Sequence, residues 1–158
     1  MKILVISDTH YRTDIAEELI EKLNPDYTLH LGDMADDCKH LEKTFPSKNI
    51  VSVRGNNDFF DTDYPFERTF ELEGVKIFMC HGHKYSVKFT MDELVEKANE
   101  VGAKIALYGH THIPHMEERG ELTVLNPGSL DTYGIIEIEN GNISAEIIDY
   151  YKNKKNWL

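Results

Sequence analysis

The sequence predicts an α/β fold of two β-sheets packed face to face with helices outside. Two observations carry this. The first half of the chain alternates strand and helix signals in the order β-α-β-α-β, which builds a parallel sheet with helices on its faces. The second half is richer in strands and in hairpin turns. The 158 residues fit one domain, residues 1–158. A chain of about 150 residues buries roughly 68–70% of its unfolded surface, enough for a core without disulfide staples.

Lys2 to Ser7 is a β-branched apolar run, expected as a buried strand. Asp14 to Leu23 spaces Ile15, Leu19, Ile20 and Leu23 as one face of a helix, and Asn24-Pro25 ends it. Tyr27 to Leu31 is a second strand, Asp37 to Phe45 a helix, and Ile50 to Arg54 a third strand. Arg68 to Leu72 and Val75 to Cys80 flank the turn Glu73-Gly74. Thr90 to Val101 predicts a helix opened by a Thr90-x-x-Glu93 capping box and closed by Gly102. Lys104 to Tyr108 is a strand. His115 to Glu118, Glu121 to Leu125, Gly134 to Ile138 and Asn142 to Tyr150 read as a run of antiparallel strands, with a turn at Glu139-Asn140-Gly141-Asn142.

Hydrophobic residues make up 41% and charged residues 28%, a balance that excludes a disordered chain. The longest apolar runs resemble Ile3-Leu4-Val5-Ile6, far short of the roughly 20 residues of a membrane span. The N-terminus reaches Asp8 too soon for a signal peptide, so a cytoplasmic location is expected. Seventeen basic against 28 acidic residues give a net charge of −11. That charge repels a phosphate backbone and an anionic membrane, so neither a stable nucleic-acid complex nor membrane docking is expected. It allows a small phosphate substrate, because bound cations reverse the sign locally. Cys38 and Cys80 form no CxxC motif and are expected as buried free thiols.

The chemistry lies at the strand ends. They carry Asp8-Thr9-His10, Gly32-Asp33, Gly55-Asn56-Asn57-Asp58, His81-Gly82-His83 and Gly109-His110-Thr111-His112. In open α/β sheets the carboxyl ends of the strands line the ligand crevice. Each piece alone is weak, and His30, His40 and His115 lie outside these loops and receive no role. Five pieces at successive strand ends concentrate metal-binding side chains at one edge. Mixed Asp, His and Asn without Cys suit Mn²⁺, Fe²⁺, Ni²⁺ or Zn²⁺. Seven candidate ligands exceed the needs of one tetrahedral site. Two ions sharing a carboxylate use them, an arrangement typical of phosphoester hydrolysis.

This ordered motif set, with Asn126-Pro127-Gly128-Ser129 after the last of it, resembles the calcineurin-like metallophosphoesterase superfamily, in its small phosphodiesterase branch related to vacuolar sorting protein 29. The resemblance runs from Lys2 to about Ser129, with the remaining strands expected to complete the second sheet. It implies a four-layer α/β/β/α sandwich of two mixed sheets. It implies that Asp8, His10 and His112 hold one divalent ion, that Asn56, His81 and His110 hold another, and that Asp33 bridges them. Mn²⁺ is expected ahead of Ni²⁺, Fe²⁺ or Zn²⁺. The implied reaction is hydrolysis of a small phosphodiester by a metal-bridging hydroxide. The rivals are a phosphomonoesterase and a non-catalytic metal-binding scaffold. Many family members place a proton-donating histidine after the motif asparagine, where this chain has Asn57. Asn57 is therefore expected to contact substrate, and His83 is the candidate for delivering a proton. Arg12, Arg54, Lys84 and Lys88 are the nearest basic side chains.

Overall fold

In the computed structural model, which describes residues 1–157, β1 (Lys2–Ile6), β2 (Tyr27–His30) and β3 (Asn49–Ser52) run parallel. α1 (Thr13–Leu23) and α2 (Ala35–Thr44) make the crossovers. β9 (Thr132–Glu139) and β10 (Asn142–Asp149) extend this sheet past β1, giving the order β10-β9-β1-β2-β3. The second sheet has the order β4-β5-β6-β8-β7, from β4 (Glu67–Leu72), β5 (Val75–Cys80), β6 (Ile105–Leu107), β7 (His115–Arg119) and β8 (Leu122–Asn126). Both sheets mix parallel and antiparallel pairs.

Side chains alternate across β1, and that alternation sorts the layers. Ile3 and Val5 enter the core between the sheets, with Leu29 from β2 and Ile77, Met79 and Leu107 from the second sheet. Leu4 and Ile6 face the other way, onto Leu19 and Ile20 of α1 and Tyr150 of α4 (Tyr150–Lys154). On the far side, Leu94 and Ala98 of α3 (Asp92–Glu100) cover Phe78, Ala106 and Val124. The result is the four-layer α/β/β/α sandwich. Cys38 and Cys80 are free and buried. Among the described residues no helix is long and apolar enough to cross a membrane.

Three local expectations change. The strands after Ser129 complete the first sheet, not the second, and the supposed antiparallel run is split between the sheets. β9 pairs along β1, with Val5 opposite Gly134, and so buries the edge that β1 would otherwise expose. β8 pairs antiparallel with β7 but parallel with β6. β10 stops at Asp149, whose side chain accepts the Lys152 N–H and starts α4. The Thr90–Glu93 capping box does not close. The Thr90 hydroxyl accepts the Asp92 N–H at 3.2 Å, and the Glu93 carboxylate receives Ser86 Oγ at 3.4 Å.

Candidate metal centre

The carboxyl ends of β1, β2, β5 and β6, with the turn after β3, converge on one edge of the sandwich. Asp8, His10, Asp33, His110 and His112 all have positive φ, between 41° and 68°. Asp, Asn and His tolerate this region best, yet each such residue costs on the order of 1–3 kcal/mol and persists only where surroundings fix it. Close backbone approach adds to the constraint. A Cβ on Gly55 would lie 2.0 Å from Asp33 Oδ1, and one on Gly109 would lie 2.1 Å from Ser7 Oγ. Only glycine leaves room for these carboxylates.

Asp8 is 2% exposed. Its Oδ2 accepts Ser7 Oγ–H at 2.5 Å and the His110 N–H at 3.2 Å. Its Oδ1 is buried without a hydrogen-bond partner. That oxygen lies 3.1 Å from His112 Nε2, 3.7 Å from His81 Nε2 and 3.8 Å from His10 Nε2. His81 is fully buried, and its Nδ1–H donates to the Leu31 carbonyl at 2.8 Å. This bond fixes the tautomer and leaves the Nε2 lone pair facing the carboxylates, 3.5 Å from Asp33 Oδ2. His81 Nε2 and His10 Nε2 are also buried without partners. His110 Nδ1 and Asn56 Oδ1 stand 3.1 Å apart.

Unpartnered buried acceptors this close cost free energy unless a cation joins them. Asp8, His10 and His112 form one group able to hold an ion, and Asp8, Asp33 and His81 form another, with ligand atoms within 4.8 Å of each other in each. Asp8 belongs to both, so the two groups adjoin. The donor set of carboxylate and imidazole fits divalent transition metals.

Burial, with His81, His110 and Lys84 close by, lowers His83 to about 4, so its ring is neutral at pH 7. His83 Nδ1 is buried without a partner, and the ring centroid lies 5.6 Å from that of His81 and 6.2 Å from that of His110. Burial, then His81 and Lys88, also lowers His110. Asn57, expected to contact substrate, is hydrogen-bonded to Asp33. Its side-chain Nδ2–H donates to Asp33 Oδ2 at 2.8 Å and its backbone N–H to Asp33 Oδ1 at 3.1 Å. One residue thus orients both oxygens of the carboxylate.

Several supporting residues received no role from the sequence, although Asp58 lies within a marked strand-end motif. Asp58 Oδ2 accepts the N–H groups of Asp33 and Gly55, and its Oδ1 accepts that of Ala35. His30, given no role from sequence, is fully buried, and its Nδ1 accepts the Gly32 N–H at 3.1 Å. Its Nε2–H then donates to Thr9 Oγ1 at 3.1 Å, and the Thr9 hydroxyl donates to Asp37 Oδ2 at 2.5 Å. This chain ties the β1 loop to the β2 loop. Asn126, in a segment the sequence did mark, donates to the Gly109 carbonyl and to Thr111 Oγ1.

The basic side chains are mostly engaged elsewhere. Arg54 and Lys84 stack on Phe66, at 3.8 and 3.5 Å from the ring centroid. Arg12 binds the Ser129 carbonyl, Asp131 and Tyr151.

Comparison with known proteins agrees with this geometry. A family model described as the calcineurin-like phosphoesterase superfamily domain matches residues 1–141. A probable metallophosphoesterase of Mycoplasma pneumoniae is 33% identical over 157 residues, covering 90% of this chain and 93% of its own length. A phosphodiesterase of Methanocaldococcus jannaschii is 29% identical over 163 residues, covering 88% of this chain and 94% of its own. The crystal structure of a predicted phosphoesterase from Streptococcus pneumoniae superposes with a TM-score of 0.81 at 30% identity, covering 95% of this chain and 90% of that one. With the family model spanning residues 1–141 and a motif residue at each converging strand end, this chain belongs to the calcineurin-like phosphoesterase superfamily.

Proposed function

We propose that the chain hydrolyses small phosphodiesters using two divalent metal ions. The observation that carries the reading is the convergence of Asp8 Oδ1, His10 Nε2 and His81 Nε2, all buried and unpartnered. In this reading Asp8, His10 and His112 hold one ion, Asn56, His81 and His110 hold the other, and Asp33 stands between them. When bound, such ions polarise phosphoryl oxygens and lower the pKa of a water to near neutrality.

The chain's own residues do the rest. Ser7 and the His110 N–H fix Asp8 so that Oδ1 faces the site. Leu31 aims His81 through its carbonyl, and Asn57 holds Asp33. His83 stands beside His81 and His110 as a neutral ring, able to hydrogen-bond a phosphoryl or leaving oxygen. Diesters are favoured over monoesters because a monoester brings an extra negative charge. Arg12, Arg54 and Lys84 are committed to other partners. Phosphodiesterase relatives support the same choice.

The test is reconstitution with Mn²⁺, Ni²⁺, Fe²⁺ or Zn²⁺, followed by elemental analysis and by rates on bis(p-nitrophenyl) phosphate and p-nitrophenyl phosphate. Two ions per chain and faster diester turnover are expected, with Mn²⁺ among the activating metals. A folded protein that holds one ion or none, or that prefers the monoester, overturns the reading.

A further inference from the structure

His10 and His112, which both face Asp8 Oδ1, sit in matching local structures. One loop reads Asp8-Thr9-His10 and the other His110-Thr111-His112. In each, a threonine stands between two candidate ligands of positive φ. The angle is 54° at Asp8 and 41° at His10, 68° at His110 and 61° at His112. Backbone of this kind persists only where its surroundings hold it. The His10 and His112 ring centroids lie 5.1 Å apart.

The threonine hydroxyls supply that hold. Thr9 is fully buried. Its hydroxyl and the Tyr11 N–H both donate to Asp37 Oδ2, at 2.5 and 2.9 Å. One oxygen thus closes a bracket around His10, gripping the residue before it and the residue after it. At His112 the threonine closes the bracket itself. Thr111 Oγ1 accepts the Ile113 N–H at 3.1 Å, across His112. Each bracket is pinned by a fully buried side chain at the end of a neighbouring strand. His30 of β2 donates from Nε2 to Thr9 Oγ1 at 3.1 Å. Asn126 of β8 donates from Nδ2 to Thr111 Oγ1 at 2.9 Å.

A threonine on a loop ordinarily bonds its own backbone or water. Here each hydroxyl also meets a buried partner 21 or 15 residues away. Removing it leaves that partner unpaired and lets the histidine's backbone relax out of its strained region. We propose that Thr9 and Thr111 are positioning residues of the metal centre, their hydroxyls locking the left-handed turns that aim His10 and His112 at the ion they would hold with Asp8. Neither threonine is a ligand, and each acts through the histidine that follows it. The proposal rests on the metal-binding reading of these histidines and names what sets their affinity.

The test is metal binding, which needs no turnover. Protein stripped with a chelator is titrated with Mn²⁺ by calorimetry, in the parent and in Thr9→Val, Thr111→Val, Thr9→Ser and Thr111→Ser. Valine keeps the branched shape and loses the hydroxyl, whereas serine keeps the hydroxyl. Each valine variant is expected to weaken the binding of at least one ion by about 10–100-fold, the usual cost of losing a group that orients a ligand. Each serine variant is expected to bind close to the parent. Valine variants that are folded by circular dichroism and bind as tightly as the parent overturn the proposal, because a merely structural threonine lowers the melting temperature and leaves affinity alone. Serine variants as weak as the valine ones also overturn it, because the methyl group is then what counts. Thr111 is only half-buried, so its pair of variants decides the point even where Thr9→Val fails to fold. The expected binding pattern without hydrolysis of any diester upholds the brackets and overturns the phosphodiesterase reading. A folded parent that binds no Mn²⁺ overturns both.

Discussion

The carboxylate of Asp58 holds the backbone of Asp33, its Oδ2 accepting the Asp33 N–H at 2.9 Å. The same oxygen takes the Gly55 N–H at 2.8 Å, and Oδ1 takes the Ala35 N–H at 2.7 Å. Asp58 is 6% exposed, so these three donors have no ready alternative in water. It therefore joins the β2 loop, the start of α2 and the turn after β3. Asp58→Asn presents an NH₂ where a backbone N–H needs an acceptor. Loss of one such bond with a charged group is worth about 1.5–3 kcal/mol. At about 2–4 °C per kcal/mol for a domain of this size, the melting temperature falls by roughly 3–12 °C. Thermal unfolding in a metal chelator checks this, since bound metal would otherwise add its own stabilisation. An unchanged melting temperature contradicts the clamp.

Gly109 gives a sharper steric prediction. A Cβ there would meet Ser7 Oγ at 2.1 Å and Asp8 Oδ2 at 2.7 Å. Ser7 is fully buried and cannot swing aside. Gly109→Ala must displace Asp8, and a shift of about 1 Å at a reacting centre can cost on the order of 10²-fold in rate. Gly74, in the β4–β5 turn, has φ 76° and nothing within 4 Å of its would-be Cβ. Gly74→Asn keeps a residue that tolerates this region and should leave the rate unchanged. Steady-state rates of the two variants decide the point.

The candidate ligands were legible because they sit at strand ends, where glycine and a run of Asp, His and Asn stand out from an apolar strand. The layers followed from the same runs. What stayed hidden depends on distant partners. β9 lies more than 120 residues from β1 in the chain, so nothing local to Gly134 announces Val5 as its neighbour. α2 starts at Ala35, ahead of the expected Asp37, and Asp58 supplies an acceptor for that first N–H. The Thr90 capping box was a local signal that lost to Ser86, which bonds Glu93 instead. His30 reads as an ordinary strand residue until Thr9 and Gly32 are folded against its two nitrogens.

His30 also sets a pH dependence. Burial lowers it to about 4, with Asp8, Asp37 and Asp58 opposing that shift and His81 adding to it. An unfolded histidine titrates near 6.5. Between these values the unfolded chain binds more protons than the folded one, so stability rises with pH across that window. The contribution is intact above about 6.5 and is lost as pH falls toward 4. His30→Gln keeps an N–H for Thr9 and cannot charge. Its cost, measured by urea unfolding in a chelator, should shrink by roughly 2 kcal/mol between pH 7.5 and pH 5. Parallel pH profiles for parent and variant would show that His30 does not titrate in this way.

Asn57 offers the test that separates positioning from proton delivery. Its two N–H groups reach both oxygens of Asp33. Asn57→Ala retains the backbone bond to Oδ1 and loses the side-chain bond to Oδ2. Loss of a partner that orients a metal-binding carboxylate typically costs about 10–100-fold in metal affinity or activity. That loss acts before any bond to the leaving group breaks, so it should fall equally on aryl and alkyl diesters. Asn57→His is different. It removes the amide from Asp33 but restores an ionisable donor at the position where the family resemblance leads one to expect it. General acid help is worth roughly 10²–10⁴-fold, and an alkoxide needs it far more than a nitrophenolate does. The alkyl-to-aryl rate ratio should therefore stay constant in Asn57→Ala and rise in Asn57→His, even if both variants are slower than the parent on the aryl substrate. Rates on bis(p-nitrophenyl) phosphate and on an alkyl diester, with metal binding titrated alongside, give both numbers. If Asn57→Ala slows the alkyl substrate selectively while metal affinity holds, Asn57 serves the leaving group, and its bond to Asp33 is incidental.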